Sequence, residues 1–474
     1  MSDHPHLPPP DPDEPDEPDF AAMFASLLGG ADNPELAKAL GAMGIDKIDP
    51  ATAGMIGAQL KAMFASGPAE PFNLELATDV ARKTVAAQGD STVGDAARRE
   101  VEQAVQVADL WLDAVTDLTA PHGPIHAWSR AEWVDQTMPM WRQLVEPVAA
   151  GVSTAVVAAM RSQMGELEAG EDPGAMPGLP AIPGLPPGMD PAALMGQMEP
   201  MLARMSGSMF GAQVGQAVGA LGGDLVSGTD VGLPLVPGHG IAMLPANINA
   251  FADGLGVDLT EVRLYLAVRE AARVRLFAEV PWLGPQLVAA VQAYARDISI
   301  DTEGIESALQ SIDPSDPTAM QAALSNSLFA PEPSPAQRSA LVLLETYLAL
   351  VEGWVDVVAD RATTSHLPHT AALGEAVRRR RASGGPAERV FSQLVGLELR
   401  PRRLRDAANL WAALEAKGGA EARDGAWAHP DVAPTAADLD DPLGYVDRFT
   451  SVDTRDEMDA ALDALLSEGD QDST

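Results

Sequence analysis

The sequence predicts a mainly α-helical protein, and three observations predict it. From residue 71 onward apolar side chains recur at three- and four-residue spacing, the period of a helix with one buried face. Helix-start signatures stand where those patterns begin: Ser129-x-x-Glu132, Asp258 with Glu261, and Ser334-Pro335. Alternation of the kind that marks strands is confined to Gly232–Ile248, around Pro237-Gly238-His239-Gly240, which reads as a small β-hairpin or sheet. A chain of 474 residues, 46% of them hydrophobic, can bury a substantial core.

Residues 1–70 form an acidic, proline-rich tail with short helices near Phe20–Leu28 and Ala51–Phe64; the first nineteen residues hold too little apolar surface to offset the entropy of ordering. Residues 71–164 make an N-terminal helical part. One helix there carries Val101, Val105, Ala108, Trp111, Leu112, Val115 and Leu118 on its apolar face, and a second runs from Ser129 to about Met164. Trp128, Trp133 and Trp141 read as core. Residues 165–191, rich in Gly, Pro and Met, read as a flexible loop. In the next helix, Ala192–Gly223, Gly207, Gly211, Gly215 and Gly219 fall on one face and predict a close-packed neighbour.

Residues 192–365 form the core and hold both helices that matter most, with residues 366–446 a C-terminal helical part and 447–474 a short amphipathic helix and acidic tail. The first of the two helices, Asp258–Phe277, places Val262, Leu266, Arg269, Arg273 and Leu276 on one stripe, so two arginines interrupt a face that should point inward. Unpaired guanidinium groups are costly to bury, and carboxylates are expected opposite them. The second helix, Ser334–Ala362, supplies candidates: Glu345, Glu352, Asp356 and Asp360 fall within a narrow arc.

A formal charge of −37 argues against partners that recruit Lys and Arg, namely nucleic acid and anionic membrane surfaces. With no cysteine, disulfides, Cys-bound metals and thiol nucleophiles are excluded. The N-terminus lacks the basic start and apolar run of a secretory signal, and the uncharged stretches Met205–Gly223 and Val231–Ala252 are broken by Gly, Gln, Pro and Asn; a cytoplasmic protein without a membrane span is expected.

Arg269-Glu270-x-x-Arg273, followed by Glu352-Gly353-Trp354-Val355-Asp356, Trp427-x-x-Pro430 and Leu439-Asp440-Asp441-Pro442, resembles the actinobacterial zincin-like metallopeptidase type 2 family of hydrolases over residues 72–445. The resemblance implies a multi-helix zincin-like fold. In that family the first motif is H-E-x-x-H, so Arg269 and Arg273 stand at the two histidine ligand positions, Glu270 at the general base, and Glu352 at the third ligand. Guanidinium has no lone pair to give a metal, and the motif is degenerate at the ligands themselves.

The leading expectation is a pseudoenzyme, without cofactor, that binds a protein or peptide partner through an arginine–carboxylate cluster in the former metal site. One alternative is an active hydrolase with non-standard metal ligands, for which the pairs His122/His126 and His366/His369 are thin candidates; zinc is expected only then. Another is binding of an anion or phosphate by Arg378, Arg379, Arg380, Arg381, Arg402, Arg403 and Arg405, although no P-loop or strand-GxGxxG context accompanies them.

Overall fold

The computed structural model describes residues 72–169, 191–296, 334–382 and 402–451. The expected N-terminal tail and its short helices, the remainder of the Gly/Pro/Met loop from 170 to 190, and the part of the expected C-terminal amphipathic helix and acidic tail beyond residue 451 lie outside them. Residues Ala69–Thr474 make one compact unit. Its elements run α1 (Leu74–Ala87), α2 (Asp95–Leu112), β1 (Ile125–Ala127), α3 (Arg130–Ala169), α4 (Pro191–Asp224), β2 (Ile241–Met243), α5 (Pro245–Ala252), α6 (Leu259–Glu279), α7 (Leu283–Arg296), α8 (Pro335–Thr363), α9 (Thr370–Ala382), α10 (Arg402–Gly425), α11 (Ala436–Asp440) and α12 (Pro442–Ser451). The fold is mainly helical, as expected. Among the described residues no helix is long and apolar enough to cross a membrane.

The start signals act as the sequence indicates. Ser129 and Glu132 form the reciprocal pair that opens α3, with Ser129 N donating to Glu132 Oε2 at 2.7 Å and Glu132 N to Ser129 Oγ at 3.2 Å. Ser334 and Gln337 do the same for α8, where Pro335 occupies the first turn. Asp258 caps α6 through Thr260 N at 2.8 Å. Trp133 and Trp141 are fully buried and Trp128 nearly so, in the core.

Two expectations need correction. The helix carrying Trp111 ends at Leu112 rather than Leu118. Beyond it, distant groups capture the backbone: Asp424 accepts from Thr116 Oγ1 (2.7 Å) and Asp117 N (2.9 Å), while the carbonyl oxygens of Val115 and Leu118 accept from Arg423 and Arg275. The small sheet exists, but not as a hairpin. β1 and β2 pair in parallel, Ile125 opposite Ile241, and the segment Pro237–His239 is a 3-10 turn. Pro234 and Pro237 remove the N–H donors that a first hairpin arm would need. On the other flank of β2, Gly228 N donates to Ala242 O (2.8 Å) and Leu244 N to Val226 O (3.0 Å), which fixes the segment 226–230 beside α6.

The glycine face of α4 lies against α1. A Cβ at Gly215 would sit 2.5 Å from Ala77 O and 2.8 Å from Val80 Cβ, and one at Gly219 2.6 Å from Thr84 Cβ. Gly215→Val should therefore destabilise the protein by about 3 kcal/mol through overpacking, because the obstructing atom is backbone. Urea unfolding measures this; a variant as stable as the parent would show that the two helices can separate freely.

Candidate functional site

α6 is buried without interruption from Tyr265 to Phe277. A helix hidden all round is normally apolar all round, yet this stretch contains Arg269, Glu270, Arg273 and Arg275, each no more than 4% exposed. Every one of them must find its counter-charge inside the protein. Arg275 finds Asp109 and Asp113 on and beside α2, at 3.0 and 2.8 Å. The other three belong to a single cluster.

Glu352 of α8 is the hub of that cluster. It accepts from Arg273 Nε at 3.0 Å and Nη2 at 3.3 Å, from Arg269 Nη2 at 3.3 Å, and lies 3.0 Å from Arg381 Nη2 of α9. The Arg273 fork thus grips both carboxylate oxygens, the geometry that suits a guanidinium. Asp356, one turn along α8, takes Arg269 Nη1 at 2.8 Å and Arg378 Nη1 at 3.1 Å. The intervening residues face elsewhere. A Cβ at Gly353 would meet Ala407 of α10 at 2.7 Å, and Trp354 donates its indole N–H to Asp424 at 2.9 Å. The Glu-Gly-Trp-Val-Asp run therefore aims its two acids at α6 and packs its small residue against α10, the consequence of 100° per residue.

Glu270 shares Arg273 with Glu352 and is wholly enclosed. It accepts from Ser227 Oγ (2.7 Å), Thr229 N (2.9 Å), Thr229 Oγ1 (2.7 Å) and Arg273 Nη1 (2.9 Å). Gly228 must be small here: a Cβ would lie 2.3 Å from Val236 Cγ2. Asp230, at the end of the same segment, holds Arg380 Nη1 (2.9 Å) and Arg381 Nη2 (3.3 Å).

The protonation balance follows from these contacts. Burial alone would raise the Glu352 carboxyl, but Arg273, Arg381 and Arg269 outweigh it and hold the group below its ordinary value. Asp230 is likewise driven far below the carboxylate range, burial being overcome by Arg380, Arg381 and Arg273. For Glu270 burial wins, and its value is raised despite Arg273, Ser227 and Thr229.

The family model for Zincin-like metallopeptidase matches residues 72–446. The chain belongs to the Zincin-like metallopeptidase family. Its fold is similar to that of a crystal structure, from Chloroflexus aurantiacus, of a candidate hydrolase with a novel fold: 15% identity, TM-score 0.54, 80% of this chain and 99% of that chain covered. At that identity the likeness concerns the fold. Among curated proteins none matches the chain.

Zinc, the metal that the family's H-E-x-x-H motif implies, does not fit this zincin site. The two positions that the resemblance assigns to histidine ligands, Arg269 and Arg273, are cations without lone pairs, both oxygens of Glu352 are engaged by guanidinium groups, and Glu270 already accepts four hydrogen bonds. Three of the four paired histidines serve other contacts: His126 stacks on Trp128, His366 stacks on Trp111, and His369 Nδ1 lies 2.9 Å from Glu261. Among the described residues no group of three or more His, Asp and Glu is placed to hold a metal.

Not every expected residue joins the cluster. Glu345, two turns before Glu352, bonds neither Arg269 nor Arg273, and Asp360 makes no ion pair with them. The anion-binding group 378–405 is split as well: Arg379 faces solvent with Glu375, Arg380 serves Asp230, and Arg403 serves Asp440. The side chain of Arg402 lies outside the described residues. Sequence reading missed Ser227, Thr229 and Asp230. Their signal was a run of small polar residues, Ser227-Gly228-Thr229-Asp230, set in an otherwise apolar stretch.

Proposed function

We propose that this zincin-like protein is a non-catalytic member of its family, in which arginines have replaced the metal and the molecule works by binding. The observation that carries the reading is the triple guanidinium environment of Glu352, formed by Arg269, Arg273 and Arg381. A carboxylate so engaged is not available to a cation, and a divalent ion placed among these arginines would be repelled. Glu270, saturated by Ser227, Thr229 and Arg273, has no role left as a general base.

Metal content and peptide hydrolysis, measured together on untagged protein, test the reading. Zinc well below one equivalent is expected, with hydrolysis no greater than that of Glu270→Gln. Stoichiometric zinc accompanied by hydrolysis that Glu270→Gln abolishes would overturn it.

A further inference from the structure

Beside the Glu352 cluster a cavity of about 320 Å³ opens between α6, α8, α9 and the start of α10. Four arginines line it, Arg269, Arg378, Arg381 and Arg405, against two carboxylates, Glu352 and Asp356. Both carboxylates are already spoken for: Glu352 also serves Arg273 from outside the cavity, and Asp356 bridges Arg269 and Arg378. The cavity therefore carries a net positive charge of about two within a protein whose overall formal charge is −37.

Among the described residues, two of the guanidinium groups have donors without an acceptor. Arg405 is exposed and makes no hydrogen bond or ion pair among the described residues. Arg381 keeps a buried Nε without an acceptor, and burial pushes its guanidinium below its usual value, with Arg273 and Arg269 adding to the effect and Glu352 and Asp230 opposing it. Leu404, Arg405, Ala408 and Asn409 line the cavity from one side of the first two turns of α10. The rest of the wall is formed by three short apolar side chains, Val377, Leu404 and Ala408, and one amide, Asn409.

We propose that this cavity binds a small organic dianion with a short aliphatic body, its charged groups held by Arg405 and the arginines of the cluster. The proposal rests on the non-catalytic reading above and names the class of ligand for it. The volume lies at the small end of ligand pockets, which run from about 300 to 1,000 Å³, and favours a metabolite-sized anion over a peptide. The Arg405 fork, set among the paired arginines, selects carboxylate or phosphate oxygens, the apolar side chains of the wall select a carbon body, and a net charge near two selects a dianion.

Calorimetric titration of the full, untagged chain at constant ionic strength tests this with three probes: glutarate, inorganic phosphate and the neutral diamide glutaramide. Glutarate should saturate a single site, more tightly than phosphate, while glutaramide gives no saturable heat. Arg405→Gln, at an exposed position, should weaken glutarate by about ten- to a hundredfold, the worth of one charged hydrogen-bond partner. Arg379→Gln, whose side chain faces solvent with Glu375, should bind as the parent does. Failure of glutarate to saturate, phosphate binding as tightly as glutarate, glutaramide binding equally well, or parent-like affinity in Arg405→Gln would each overturn the proposal. With zinc absent from the same preparation, those failures leave the non-catalytic reading intact, whereas stoichiometric zinc would overturn both.

Discussion

Glu352→Ala is expected to lower the unfolding free energy by about 3–5 kcal/mol, the usual consequence of deleting one member of a buried ion cluster. The side chain is 5% exposed and holds Arg269, Arg273 and Arg381 together. Without it those guanidinium groups retain only Glu270, Asp356 and Asp230 as counter-charges. Glu352→Gln separates charge from packing: it preserves volume, leaves the cations under-compensated, and should recover only a small part of the loss. Urea denaturation reads the effect as a lower midpoint at unchanged slope. A parent-like midpoint in both variants would mean that the cluster holds nothing together.

The same pair of proteins gives a pH signature. The arginines hold the folded Glu352 carboxyl below its ordinary value, so the stability it supplies is complete at neutral pH, above the unfolded carboxylate's pKa. It is lost as pH falls through the lower folded value. The gap between parent and Glu352→Gln should therefore be wide at pH 7 and close in acid. A gap that does not change with pH would assign the loss to packing.

The double substitution Arg269→His with Arg273→His should make stability depend on zinc, which the parent's does not. In chelator the variant is expected to unfold well before the parent, since Glu352 and Asp356 lose their counter-charges on α6. Two imidazoles one turn apart with the Glu352 carboxylate would then present a His-His-Glu donor set. Zinc at a hundred times its dissociation constant should restore about 2.7 kcal/mol. Thermal melts with and without zinc, run beside the parent, measure it. A variant indifferent to zinc would show that the helices no longer present that geometry.

What could be read in the sequence was the material that repeats or is local. The helical period, the caps at Ser129, Asp258 and Ser334, and the glycine face of α4 depend on residues a few positions apart, and each has its expected partner in the fold. The need for acids opposite Arg269 and Arg273 was also legible, because a cation on an inward stripe has no cheaper solution. Which acids would answer was not. Glu345, Glu352, Asp356 and Asp360 share one arc of α8, and only the crossing of α8 with α6 brings Glu352 and Asp356 within reach while leaving the other two aside.

The hairpin error and the missed Ser227-x-Thr229 site have one cause. β2 takes its parallel partner from more than a hundred residues upstream, and its other flank carries Ser227 and Thr229 to Glu270. No local pattern encodes such pairings. The arginine run at 378–381 likewise looked uniform along the chain but is divided by the helix into a solvent side and a cluster side. The sequence by itself determined the helices, the family resemblance and the presence of two permanent cations on an inward stripe of α6. The tertiary structure alone decided which carboxylates neutralise them and where positive charge is left over, because charge compensation depends on distance in space, and sequence separation carries none of that distance.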